Sequence, residues 1–460
     1  MVISGRSESK LYTDRPGYKN ASMLPEKSRP SSDTQVQLPP TTPAKSFVMI
    51  AISFAVLLAC LPYLTQATND YNRSQIYEFP LKSTNVLTTV PPPSVFNYTS
   101  IFLPESVSLA AAKTAPFHVY HPDFHTIIGP TPRLTVVWSN DEYAAAHEAP
   151  VYHKPSNALF FAANAGAPLG RSGLNQSNVV WRMDIGEAAS LVANATLTAE
   201  GDYVGGNVTL EAVPNTDNQL ENVNGATNYR GQLVFMTEGR GDSLPSGITV
   251  VNPVKPYNAT VILNNFFGRQ FSSLNDVGYH RKSGDLFFTD PTYGFTQDFR
   301  PSPGFPNQVY RFNEDSGLVS IVADGFSMPN GICFSPDQRT AYIADTGLVM
   351  KDRNPTRPAT IYAFDVSEDG VFCNRRTFAF GKLIPGHVVP DGVHVDAEGN
   401  LWIGDGVAVY NPRGALLGKI FLGTGAANFI WGGDGKVFIM AETKVYLAEI
   451  SAKGDPIWND

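Results

Sequence analysis

Six polar residues stand at the same register of a repeated motif: Glu148, Asn224, Asn275, Asn330, Asp391 and Asn428. Two are carboxylates and four are carboxamides, with neither thiol nor imidazole among them. An all-oxygen set with two formal negative charges suits a hard divalent cation, Ca²⁺ first and Mg²⁺ or Mn²⁺ behind it; Zn²⁺ is a further candidate, although softer metals draw His or Cys. Two carboxylates brought together away from water repel, and a cation offsets that cost. Such a centre can polarise a carbonyl oxygen while one carboxylate takes a proton from water.

The six copies start at Glu148 (EAPVYHKPSNALFFAAN), Asn224, Asn275 (NDVGYHRKSGDLFFTDPTYG), Asn330, Asp391 and Asn428. Aligned on the turn residues Asn157, Gly231, Gly284, Gln338, Gly399 and Gly435, the leading polar residue falls nine, seven, nine, eight, eight and seven positions earlier. Each copy reads as a polar residue, a short apolar strand, a tight turn and a second strand rich in aromatic and aliphatic residues. Further strand-like runs between the copies, such as ITVVNP from Ile248 and QVYRFN from Gln308, complete the content of a propeller blade. The predicted fold is an all-β, six-bladed β-propeller over residues 116–460, with 116–147 joining the last blade so that no sheet edge stays bare. In such a ring the innermost strands line the axis, so residues at one register converge. The competing reading of a single Asn, that Asn-Gly at 224 and 330 only tolerates a left-handed turn, does not explain six in register.

Composition agrees with an all-β body: 460 residues hold Gly 39, Pro 35 and 11% aromatics. A net charge of -8 without a Lys/Arg cluster excludes a nucleic-acid partner. Residues 1–45 read as a disordered cytosolic tail, 46–65 as a transmembrane signal anchor, and 66–115 as a stalk stiffened by Pro91-Pro92-Pro93. The anchor rests on the uncharged stretch Phe47–Leu64, 18 residues long, behind a tail with more basic than acidic residues. The alternative is a cleaved signal peptide ending near Thr65-Gln66-Ala67. Either way the body is expected to be lumenal, extracellular or secreted, and six sequons at Asn72, Asn97, Asn175, Asn194, Asn207 and Asn258 suit glycosylation there. Cys60 lies in the apolar stretch, which leaves Cys333 and Cys373 as the possible disulfide.

The motifs Glu148-Ala-Pro-Val-Tyr152, LNDVGYHRKSGDLFFTDPTYG, PNGICFSPDQRTAYIADT and PDGVHVDAEGNLWIGDG resemble the successive blades of the gluconolactonase and regucalcin-like (senescence marker protein) family, over roughly residues 130–450. That family comprises calcium-dependent lactonases and phosphotriesterases. The resemblance implies that Glu148, Asn275, Asn330 and Asp391 ligate the cation, with Asp391 also the general base and Glu148 mainly an anchoring ligand. Asn224 and Asn428 become further pocket residues, and Glu238, Tyr293 and His394 are expected on the walls. It departs from the family at Tyr152, where an aromatic that is often Trp is usual, and in the long segment between Glu148 and Asn224. The expected function is metal-dependent hydrolysis of a small lactone or ester.

Rival readings compete. Gly241-Asp242-Ser243-Leu244 with Asp391-x-x-His394 matches the short signatures of one class of serine esterases, which need an α/β framework that this chain lacks. Arg240-Gly241-Asp242 reads as a chance adhesion-like tripeptide, and His118, His121 and His125 as a solvated strand end rather than a zinc site. A non-catalytic binding propeller with a structural cation is the rival from another class. A strictosidine-synthase-like condensing propeller would not need the full ligand set.

Overall fold

The computed structural model describes residues 108–457 apart from 200, 381–388 and 405, together with 75–79 and isolated positions between 86 and 92. The apolar stretch 47–64, the tail before it and the sequons at Asn72 and Asn97 lie outside the described residues. Among the described residues, no helix is long and apolar enough to cross a membrane.

Six sheets form the ring, each built on four antiparallel strands. Their innermost strands are Glu148–His153, Val223–Tyr229, Val277–His280, Pro329–Phe334, Val393–Val395 and Asn428–Trp431. The strands next to them are apolar on both faces, because each sheet is sandwiched between its neighbours. In Asp285–Asp290, Leu286 and Phe288 pack with Val234, Met236 and Ile248 of the preceding blade, whereas Phe287 packs with Ile332, Phe334 and Ile343 of the following one. Burying each of these side chains contributes about 1.5–3 kcal/mol. The register read from the sequence holds: the six turn residues Asn157, Gly231, Gly284, Gln338, Gly399 and Gly435 all take positive φ, from 47° to 82°.

The ring closes as expected, with Arg133–Ser139 pairing antiparallel to Lys444–Glu449 as the fourth strand of the last blade. The rest of the N-terminal side differs from expectation. Phe117–Val119 pairs with Leu416–Ile420 on the fifth blade, and Ile76–Glu78 adds beside it in parallel. The span 66–115 is therefore not only a stalk, since part of it builds a sheet edge and Leu109–Thr114 forms a helix capped by Ser108. The long segment after Glu148 supplies helix Ile185–Ala193 and the strand Tyr203–Val204, which extends the sixth blade.

Two further expectations are corrected. Cys333 lies on the innermost and Cys373 on the outermost strand of one four-stranded sheet. Three strand spacings, about 14 Å, separate them, twice the reach of a disulfide, and both thiols are free. Nor is His118 solvated: it is 1% exposed, its Nε2–H donates to the Ala112 carbonyl at 2.8 Å, and its ring stacks on Phe421. His121 and His125 stay at the surface beside Asp123 and Glu78.

Burial, with Lys419 adding to it, lowers the His118 pKa from 6.5 to about 4. The unfolded chain therefore takes up this proton first, and stability is lost as pH falls from 6.5 through 4. The loss reaches on the order of 3 kcal/mol. Denaturant unfolding of wild type and His118→Gln at pH 7 and pH 4.5 should show a gap that narrows at the lower pH; a pH-independent gap would contradict a buried neutral imidazole.

Candidate functional site

Each inner strand runs along the axis, and its first residues open at one end of the channel. Backbone irregularities turn the leading side chains inward. The pairing with the second strand shifts between Glu148 and Val151, between Val223 and Ala226, and between Pro329 and Ile332, and such bulges re-aim a side chain. The Asn-Gly pairs are not turns. Asn224 and Asn330 lie within strands, and the glycine is there because the next blade comes close. A methyl group on Gly225 would sit 2.3 Å from the Asn275 carbonyl oxygen, and one on Gly331 would sit 2.3 Å from that of Asp391.

The loops leading to two of these residues are pinned by carboxylates that close second strands. Asp290 accepts from the backbone N–H groups of Ser272 and Ser273 at 3.1 and 2.8 Å, and Asp345 from those of Ser327 and Met328, both at 2.9 Å. These Asp residues recur in the sequence as FFTD and YIAD, a signal the motif reading did not use.

Five of the six leaders, Glu148, Asn224, Asn275, Asn330 and Asp391, line one cavity of about 340 Å³ at the axis, joined by the expected wall residues Glu238 and Tyr293. Burial first and Asp391 second raise the Glu148 pKa well above the usual carboxylate range. Burial also moves Asp391 up to about 6, opposed by His147 and by hydrogen bonds with Asn330 and Glu148. Glu238, buried and accepting from the Ser273 hydroxyl, is raised to about 8 by burial. The Tyr293 hydroxyl is held between Thr346 and Asn330, whose Nδ2 donates to it at 3.4 Å.

The residues fit a hard cation. Asn275 Oδ1 is buried and has no hydrogen-bond partner, in a side chain that lines the same cavity as the Glu148 and Asp391 carboxylates. A buried acceptor left alone is costly, and a cation supplies what it lacks. Among the described residues no cluster of three or more His, Cys, Asp or Glu forms a metal site, so this set depends on its carboxamides.

Two expected wall residues lie elsewhere. Asn428 sits behind the cavity: its Nδ2 donates to Glu148 Oε2 at 2.7 Å, and its Oδ1 accepts from His394 Nε2 at 3.0 Å. His394 itself borders a separate small void with Asp276, Trp431 and Asp455. Three residues along a strand from Asp391 is about 10 Å further down the channel. With His394 there and Ser243 outside the cavity lining, no serine-esterase triad is assembled. The Arg240 guanidinium of the adhesion-like tripeptide is bound to Glu221 at 2.6 Å.

The sequence reading missed His147, which lines the cavity beside Glu148. Its Nδ1 lies 2.7 Å from Glu442 Oε1, and Asn164 Nδ2 donates to the other oxygen of Glu442 at 3.3 Å. Burial disfavours the imidazolium, but Glu442, with Glu148 and Asp391 behind it, outweighs this and lifts the pKa to about 9. The only sequence signal was adjacency to Glu148.

Asn428→Ala should weaken cation binding about 10–100-fold, the usual effect of removing a group that orients a ligand. Calorimetric titration with Ca²⁺ measures this, and unchanged affinity would mean that Asn428 does not position Glu148.

Fold and site together define a six-bladed propeller with an axial oxygen-donor centre open to a small-molecule cavity. Residues 148–441 match the family described as the SMP-30/gluconolactonase/LRE-like region, and the chain belongs to that family. It is similar to the lactonohydrolase oryH of Aspergillus oryzae, 27% identical over 404 residues that cover 71% of this chain and 79% of the relative. A gluconolactonase of Zymomonas mobilis is 31% identical over 191 residues, 39% of this chain and 49% of the relative. A solved gluconolactonase from Xanthomonas campestris shares the fold with a TM-score of 0.53 at 23% identity, over 73% of this chain and 95% of that one.

Proposed function

We propose that this chain is a hydrolase that opens a lactone ring at the axial cavity with the help of one divalent cation, Ca²⁺ before Mg²⁺, Mn²⁺ or Zn²⁺. The observation that carries the reading is the buried, partnerless Asn275 Oδ1 lining the same cavity as two carboxylates. The lactonase names of the relatives support the substrate class. Glu148, Asn275, Asn330 and Asp391 would hold the cation, which supplies Lewis-acid polarisation of the lactone carbonyl and stabilises the developing oxyanion.

The chain's own residues do the rest. Asp391 takes a proton from the attacking water, whose oxygen bonds to the carbonyl carbon. The ring C–O bond then breaks, and the proton passes to the departing ring oxygen, so that lactone and water become a hydroxy acid. Glu148, oriented by Asn428, remains an anchoring carboxylate. Asn224, Glu238 and Tyr293 line the same cavity and offer hydrogen bonds to the oxygens of the lactone ring, and the amide ligands add no charge.

The body is further proposed to be exported, held by 47–64 or released. The four sequons among the described residues, Asn175, Asn194, Asn207 and Asn258, are all exposed, as glycosylation requires. Acid release from a panel of γ- and δ-lactones, followed at constant pH for wild type and Asp391→Asn, tests the hydrolase reading. It requires turnover of at least one lactone by the wild type and its loss in the variant. A protein inert to all of them would instead be a binding propeller with a structural cation.

A further inference from the structure

The cavity is lined by polar and by aliphatic side chains. Its floor is buried and polar, with Glu148, Asn275, Asn330 and Glu238 each less than 5% exposed. Four aliphatic side chains from three separate segments, Ala165, Ala167, Val349 and Val389, line the same cavity. Val389 and Val349 belong to a small apolar cluster with Leu348 and Ala359 that is separate from the cores between the blades. Exposed Gln297 and Arg353 mark where this wall meets solvent.

A sugar lactone carries a hydroxyl on nearly every ring carbon, and each needs a polar partner when it leaves water. The floor can serve a ring and its carbonyl, but the aliphatic wall offers such hydroxyls nothing. An alkyl arm finds there a surface to bury.

We infer that the preferred substrate is a lactone bearing an alkyl substituent, its ring on the polar floor and its arm along Ala165, Ala167, Val349 and Val389. This inference rests on the hydrolase reading above and specifies the substrate for it.

The test is kcat/KM of the purified full-length chain with Ca²⁺ for γ-lactones with γ-alkyl groups from methyl to octyl, beside glucono-δ-lactone. The alkyl series should rise about two- to fourfold per methylene over its first members, and its longer members should exceed the sugar lactone. Val349→Asn should flatten that slope. A flat series with the sugar lactone preferred, or a slope untouched by Val349→Asn, would overturn the inference while the hydrolase reading stands. Hydrolysis of no lactone at all would remove the hydrolase reading and this inference with it.

Discussion

Asp391→Asn is expected to lower kcat/KM on any lactone the wild type opens by about a thousandfold, the scale of losing a positioned general base. The substitution keeps the shape of the side chain and one oxygen on the axis, but removes the proton acceptor and one of two negative charges. The protein should remain folded, because the variant no longer confines two facing carboxylates in a buried site. In chelator its melting temperature should match or exceed that of wild type, whereas the rise caused by Ca²⁺ should shrink. Near-wild-type turnover would move the base to another group.

Gly331→Ala is expected to damage stability and activity together. Its methyl would meet the Asp391 carbonyl oxygen at 2.3 Å and the Val393 nitrogen at 2.8 Å, both backbone atoms that cannot swing aside. Relief requires the fourth and fifth blades to part near the axis. Overpacking of this kind costs about 1–3 kcal/mol, and the displaced backbone is that of the proposed base. Denaturant unfolding and lactone turnover measured on the same preparation test this. Full activity with unchanged stability would mean that the blades are not in close contact at this point.

The ring was legible in the sequence because a propeller writes its geometry once per blade. The spacing from leader to turn placed Asn157 and Gln338, neither of them glycine, at the same left-handed position as four glycines. Closure by Arg133–Ser139 followed from the rule that sheet edges must be covered. What depended on tertiary encounters was not legible. His147 and Glu442 are 295 residues apart and meet only because the first and last blades are neighbours. His394 shares a strand with the Asp391 register, but the strand runs down the axis and carries it out of the cavity. Cys333 and Cys373 were paired by elimination, with no account of the two strands that separate them. Ile76–Glu78 is only three residues long, too short for an alternation pattern to distinguish it from a linker.

The most direct test of the axial-cation hydrolase is a titration of activity. The protein is stripped with chelator, exchanged into metal-free buffer and supplied with Ca²⁺ in substoichiometric steps, at protein concentrations well above the dissociation constant, while the opening of a reactive lactone is followed. The account predicts no turnover in the stripped protein and a linear return that breaks at one equivalent per chain, with Asn275→Leu failing to recover at that ratio. Turnover that survives chelation and ignores added cation would contradict it.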